Sequence, residues 1–326
     1  MNDPLIYARA IHYAATLSVA GVAFFIVFIA EPAFAAAGAD ARLPALLRPR
    51  VAVLAWTALL LTVLSGAAWL LVTAQSMSGG SWAEVFSEEI VWTVLAQTSF
   101  GRAWLERFVL ACLLARMFVP FLAVHGVKSV AIKSTVVALA AGLVGALAWA
   151  GHAIGGTGIE GVIHPIADGL HLVAAAAWVG TLLPLALLLA AAGHDAASLA
   201  IARVATVRFS AFGIASVCAL LVTGSINTWY LAGSISALTE TDYGRLVLAK
   251  VALFLVMVAI AAVNRLHLTP RLMREASASG PAGALRQLRR NIAIEIALGA
   301  AVIAVVAVLG TNPPAFEALL HLHHSH

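Results

Sequence analysis

The sequence predicts an all-α integral membrane protein of eight transmembrane helices, arranged as two parallel four-helix repeats. Three observations carry this. Hydrophobic types make up 62% of the 326 residues and charged types only 10%, whereas a soluble domain carries about 25% charged residues. Eight apolar stretches reach the ~20 residues that a helix needs to cross a bilayer. The same residue types also recur in the same order at nearly constant offsets along the chain.

The eight stretches are 5–30, 51–74, 103–124, 131–150, 166–192, 207–232, 246–267 and 291–310. The first begins "MNDPLIYARAIHYAATLSVAGVAFF". It has no basic leading region, no small-residue cleavage motif and too long an apolar run for a signal peptide, so it reads as a retained span. Fourteen of the nineteen Lys and Arg fall in four linkers, those after stretches 1, 3, 5 and 7. The other linkers and both tails are poor in cations, and several carry acids such as Glu84, Glu88, Glu89, Glu160, Glu240 and Asp242. Cations favour the cytoplasmic side. That distribution predicts that both termini face outward, which in a bacterium is the periplasm or cell exterior.

The internal repeat is read residue by residue. His12 and Gly21 recur as His171 and Gly180, 159 positions later. Arg50 and Gly66 recur as Arg208 and Gly224 at an offset of 158, and "AQSMSG" after stretch 2 resembles "AGSISA" after stretch 6. "SFGRAW" and "DYGRLV" correspond at an offset of 143, the drop reflecting a longer loop near 80–97 in the first half. Each half holds an even number of spans, so the halves share one orientation. They run over 1–155 and 156–326 within one integrated membrane domain, the second ending in a His-rich tail.

Polar groups inside such a bundle are the candidates for function. In "GVIHPIADGLHLVAAAAWVG", residues 161–180, His164, Asp168 and His171 lie at i, i+4 and i+7 and share a helix face. His171 lies roughly 10 Å in from the outer boundary at 1.5 Å per residue. His12 sits at a similar depth in the first stretch, and His152 in "AWAGHAIGG" ends the fourth stretch on the same side. Ionisable groups at membrane depth are costly and mark interior sites or pathways. Imidazole is a ligand for copper, zinc and iron. The predicted metal site is therefore His12, His152, His171, Asp168 and His164. Asp168 is placed either to ligate or to fix the tautomer of His171. The tail "FEALLHLHHSH" adds His321, His323, His324 and His326 as entry ligands.

Blander readings attach to the remaining polar residues. Cys112 and Cys218 read as small core residues, and no disulfide framework or CxxC is present. Glu295 pairs with Arg265, Asn227 and Asn264 make interhelical hydrogen bonds, and Lys250 snorkels to the outer boundary. Trp69, Trp82, Trp92, Trp104 and Trp149 suit an aromatic belt, while Trp178 walls the His171 site. The loop at 80–97 lies over the outer mouth. No Walker A, "DKTG" loop, CPC or nucleophile–base constellation occurs, so the chain reads as neither an ATPase nor another enzyme. A net charge of +4, gathered in loops, does not point to nucleic acid.

At these residues the chain resembles the copper resistance D (CopD) family of bacterial inner-membrane proteins. The resemblance rests on "GH" at 151–152, "ADGLHLVAAAAWVGTLLPL" at 167–185 and "RFSAFGIASVCALLVTG" at 208–224. It continues through "YGRLVLAKVAL" at 243–253, "NRLHLTPRL" at 264–272 and "RRNIAIEIALGAAVIAVVAVLGTNPP" at 289–314, with "RAIHYAATLSVAGVAFF" at 9–25 resembling the family's first span. The resemblance implies copper handling, uptake from periplasm toward cytoplasm, and a periplasmic copper-binding partner besides the membrane lipids. Two alternatives stay open: a haem b protein with His12 and His171 as axial ligands, and a metal-free scaffold that recruits a periplasmic copper chaperone. The sequence leaves the copper oxidation state open.

Overall fold

The computed structural model describes residues 3–36, 42–79, 81–85, 88–123, 128–150, 160–192, 195–274 and 283–315. His152 and the four tail histidines lie outside the described residues. The described chain is helical, with no strand among the described residues. Eight long helices follow in order: α1 Pro4–Ala36, α2 Leu43–Ser78, α3 Ser99–Phe121, α4 Val130–Trp149, α5 Gly161–Ala191, α6 Ala196–Ala232, α7 Asp242–Arg274 and α8 Gly283–Leu309. Seven of them are long and apolar enough to cross a membrane, and α3 is not among the seven. Its 23 residues suffice in length, but Arg102, Glu106, Arg107 and Arg116 make it too charged on composition. The protein is a multi-pass membrane protein.

The outward faces are apolar, as lipid would require. Val53, Leu60, Leu64, Leu221 and Leu255 are all exposed. Cys112 and Cys218 are exposed too, which corrects the expectation that they are core residues. Where the surrounding solvent is hydrocarbon, a small apolar thiol gains nothing by turning inward.

The inner helices are α1 and α5. Between them the chain comes closest at Gly21 and Gly180. A Cβ on Gly180 would fall 2.2 Å from the Leu17 carbonyl oxygen and 3.0 Å from Gly21 Cα. Small residues let membrane helices approach backbone to backbone, and here both helices use one. α1 also packs on α2, α4 and α8, and α5 packs on α6. Val19, Ala20, Val22, Ala23, Phe25 and Leu182 fill the resulting core.

Helix ends follow ordinary capping rules. Asp3, Thr98, Ser129, Asp195 and Thr241 each accept a backbone N–H at the start of a long helix. At one end of the bundle, arginines complete exposed helix carbonyls. Arg289 Nη2 donates to Ala192 O at 2.9 Å, Arg203 Nε to Leu272 O at 3.1 Å and Arg208 Nε to Phe28 O at 2.8 Å. In the 80–97 region, Trp82–Val85 and Glu88–Gln97 are short helices, and Val85 and Val94 bury against Leu70 and Ala74 of α2.

Three long helices carry a wider π-helical turn: Phe25–Ala30 in α1, Ala176–Gly180 in α5 and Asn264–Leu268 in α7. One expected pair is overturned where the turn in α7 begins. Glu295 is met by Asn264, whose Nδ2 donates to Oε1 at 2.7 Å, while Arg265 turns outward and donates to Ser210 Oγ at 2.9 Å. Asn264 faces Glu295, and Arg265, the next residue along the helix, does not share that face.

Candidate metal centre

Two histidine clusters stand in corresponding places. In the first, His12 of α1 places Nδ1 3.1 Å from the Thr62 carbonyl oxygen and 3.1 Å from Ser65 Oγ, both on α2. A carbonyl only accepts, so Nδ1 carries the proton and Nε2 the lone pair. That lone pair faces Arg107 Nη1 of α3 at 3.4 Å. The ring lies against Gly66, where an added Cβ would come within 3.2 Å of Cε1. Beneath it, Trp69 is covered by two guanidinium groups, Arg9 at 5.1 Å and Arg107 at 5.2 Å from the ring centroid. The space left is about 20 Å³, room for about one water.

In the second cluster, His171 of α5 places Nδ1 2.9 Å from Thr223 Oγ1 of α6. The Thr223 hydroxyl donates to Ala219 O at 2.6 Å, so it accepts from the imidazole. Nδ1 again carries the proton and Nε2 the lone pair. No side chain among the described residues hydrogen-bonds to that Nε2. The ring lies against Gly224, with an added Cβ 3.3 Å from Cε1. It lines a cavity of about 540 Å³ together with Trp178, Lys250, Phe254, Met257 and Ser225.

The two clusters match position for position under the offsets of the sequence. Ser65 corresponds to Thr223 and Gly66 to Gly224 at 158, Arg107 to Lys250 at 143, and His12 to His171 at 159. The differences explain why one cluster is filled and the other open. Arg9 and Trp69 of the first correspond to Asp168 and Asn227 of the second. An indole between two guanidinium groups occupies the first site, whereas Asn227 in the second only reaches across to donate to Asp168 Oδ1 at 3.1 Å. Asn227 and Asn264 do make the interhelical bonds expected of them.

Several other expectations need correction. Asp168 does not set the His171 tautomer, because Thr223 holds Nδ1 and Asn227 holds the carboxylate. Lys250 does not escape to the boundary; it is half-buried and lines the His171 cavity. Trp69 is core rather than belt, at 2% exposure, because it carries the two guanidinium groups. Trp104 is tied down as well, donating from Nε1 to Gly66 O at 2.8 Å. Trp82, Trp92 and Trp149 are exposed.

His164 is buried and stacks on Tyr230 of α6, ring centroids 5.2 Å apart and 23° from parallel. His12 and His171 line separate cavities, so the structure offers no common slot between the rings. Among the described residues, no group of three or more His, Cys, Asp or Glu side chains gathers to hold a metal. Arg107, Thr223 and Ser65 were missed in the sequence, and Lys250 was read there for another role. Extending the offsets of 143 and 158 to every polar residue would have found them.

The family described as Copper resistance protein D-like, N-terminal domain, matches residues 1–162, and Copper resistance protein D matches residues 203–309. Copper resistance protein D of Pseudomonas syringae pv. tomato is 31% identical over 98% of this chain and 99% of its own length. This chain belongs to the copper resistance protein D family. Within that family it is also 32% identical to Inner membrane protein YebZ of Escherichia coli (strain K12), over 71% of this chain and 74% of that protein. It is 28% identical to Copper transport protein CutJ of Bacillus subtilis (strain 168), over 67% of this chain and 38% of that protein. No solved structure matches the chain. The family is named for copper resistance, which marks this CopD-family chain as a copper-handling membrane protein. His164, Asp168 and His171 fall between the two matched segments.

Proposed function

We propose that this CopD-family protein takes copper from the periplasm into the His171 cavity and passes it toward the cytoplasm across the inner membrane. The observation that carries the reading is the unpaired Nε2 lone pair of His171 beside a cavity of about 540 Å³. An imidazole whose other nitrogen is already fixed by a hydrogen bond is preset as a copper ligand. His12 holds the equivalent place in the first half, but its Nε2 is turned to the Arg107 guanidinium. Copper contact is therefore assigned to His171, with His152 as a further ligand, Asp168 supplying negative charge, and His164 and the tail histidines His321, His323, His324 and His326 near the entry. The chain acts as a carrier of copper rather than as an enzyme, and a periplasmic copper-binding protein is the expected donor.

This reading goes with two parallel four-helix repeats, all eight helices spanning and both termini periplasmic. Its support is the matched cluster geometry and the collection of arginines at one end. α3 then crosses despite its charges, because Arg107 is buried within the bundle and Arg102 and Arg116 lie near its two ends.

Copper retention by the purified full chain tests the proposal, measured under reducing and oxidising conditions. The background carries His321→Ser, His323→Ser, His324→Ser and His326→Ser, so that the tail does not mask the intramembrane site. His171→Ala is expected to weaken retention at least tenfold, since loss of a mere supporting contact already costs ~10-fold or more. Equal copper content with and without His171 overturns the assignment.

Lys250 gives a second expectation of opposite sign. Its ammonium shares the cavity with the incoming cation. At an effective dielectric near 20, a like charge ~8 Å away costs about 2 kcal/mol. Lys250→Met should therefore tighten copper binding roughly thirtyfold in the same retention measurement, and weaker binding would count against a cation in this cavity.

A further inference from the structure

Below the His171 cavity lies a second one, of about 190 Å³, lined by Cys218, Asn264, Thr206 and Glu295. The two abut. On α6 the lining of the first ends at Leu220 and that of the second begins at Cys218; on α7 the junction falls between Met257 and Val258. One residue belongs to both linings, Trp178. The π-helical turn Ala176–Gly180 places its indole at the junction. Phe254 holds it there edge to face, with ring centroids 5.9 Å apart.

The lower cavity ends on a carboxyl group that Asn264 and the Trp178 indole satisfy in part. Glu295 is completely buried; Oε1 accepts from Asn264, and Oε2 has no hydrogen-bond partner. Arg265 and Ser210 line the same cavity, and the Arg265 guanidinium donates to the Ser210 hydroxyl rather than to Glu295. A buried carboxyl with a vacant acceptor beside open space is what a cation would meet on leaving the upper cavity.

We propose that the two cavities form one path for copper, that the Trp178 indole is the barrier between them, and that Glu295 is the cation station on the far side. The inference rests on the His171 reading and adds the route and its gate. An apolar ring closing a junction between two cavities excludes water and ions until it swings aside. An acceptor oxygen beyond it repays part of the dehydration that the ion has undergone.

Copper uptake into proteoliposomes of phosphatidylethanolamine and phosphatidylglycerol tests this. The full chain is reconstituted around a trapped Cu(I) chelator dye at a fixed membrane potential, and copper retention is measured in parallel. Trp178→Ala should raise the initial uptake rate at least threefold, and Trp178→Phe should raise it less. Glu295→Gln should lower uptake at least tenfold. Trp178 lines the His171 cavity, so uptake is compared per copper retained for each variant. Glu295→Gln keeps the oxygen that Asn264 needs, and Trp178→Phe keeps an apolar ring, so the test survives if Trp178→Ala does not fold. Uptake rates within twofold of the unaltered protein for Glu295→Gln and for the folded Trp178 variants overturn the proposal, as does a protein that retains copper and passes none. A protein that retains no copper at all refutes the His171 reading itself.

Discussion

Gly21→Ala and Gly180→Ala should each destabilise the bundle by about 3 kcal/mol, the upper part of the range for overpacking a tight interior. The reason is the kind of atom that the new methyl would meet. On Gly21 it would lie 2.1 Å from the Gly180 carbonyl carbon and 2.2 Å from its oxygen; on Gly180 it would lie 2.2 Å from the Leu17 oxygen. These are backbone atoms, so no rotamer change relieves the contact, and α1 and α5 must move apart. These two helices form the centre on which the others pack, so the displacement spreads. Gly213 is the control: it is also helical, and an added Cβ would meet nothing within 4 Å. Gly213→Ala should be neutral or stabilising by up to ~1 kcal/mol through helix propensity alone. Thermal unfolding of the purified variants in one detergent decides between them. Equal melting temperatures for Gly21→Ala and Gly213→Ala would mean that the α1–α5 contact is not the organising one.

That contact shows what a sequence of this kind reveals. Gly21 and Gly180, the residues at which the two helices meet, were legible as a pair because the same residue types recur at a fixed offset. The same holds for His12 and His171. Positions along a helix axis survive such reading; rotation about the axis does not. Asn264 and not Arg265 took the face toward Glu295, a rotation of a single residue about the axis; the π-helical turn at Asn264–Leu268 begins at the same place. Nothing in the apolar pattern marks that turn. Burial failed for Trp69 and the two cysteines for another reason: in lipid, hydrophobicity no longer separates inside from outside. The difference between the two histidines was also hidden. It depends on which nitrogen each ring has left over, and that follows from Arg107 and Thr223, residues 95 and 52 positions away.

The largest effect expected away from the helix centre is at Asn264. Gln287 Nε2 donates to Asn291 Oδ1 at 2.9 Å, Asn291 Nδ2 to Asn264 Oδ1 at 2.6 Å, and Asn264 Nδ2 to Glu295 Oε1 at 2.7 Å. Every amide in this chain points its donor toward the carboxyl group, which accepts at the end. A neutral interhelical hydrogen bond in a membrane is worth only ~0.6 kcal/mol on average, so losing one would scarcely register. Here Asn264 donates to a fully buried carboxyl group whose other neighbour is the Trp178 indole. Asn264→Leu strips it of that partner and orphans the Asn291 amide as well. The cost should approach ~3 kcal/mol, the upper part of the range for a buried polar group left without its hydrogen bond. Replacing both ends of such a contact with apolar groups removes the penalty, so Asn264→Leu with Glu295→Met should regain most of the loss. Melting temperatures of the two single variants and the double variant give the coupling. A double variant as unstable as Asn264→Leu alone would show that Asn264 acts by packing and not through Glu295. If stability returns while copper uptake does not, the carboxyl group is kept at a cost to the fold, and its use lies in what crosses the bundle.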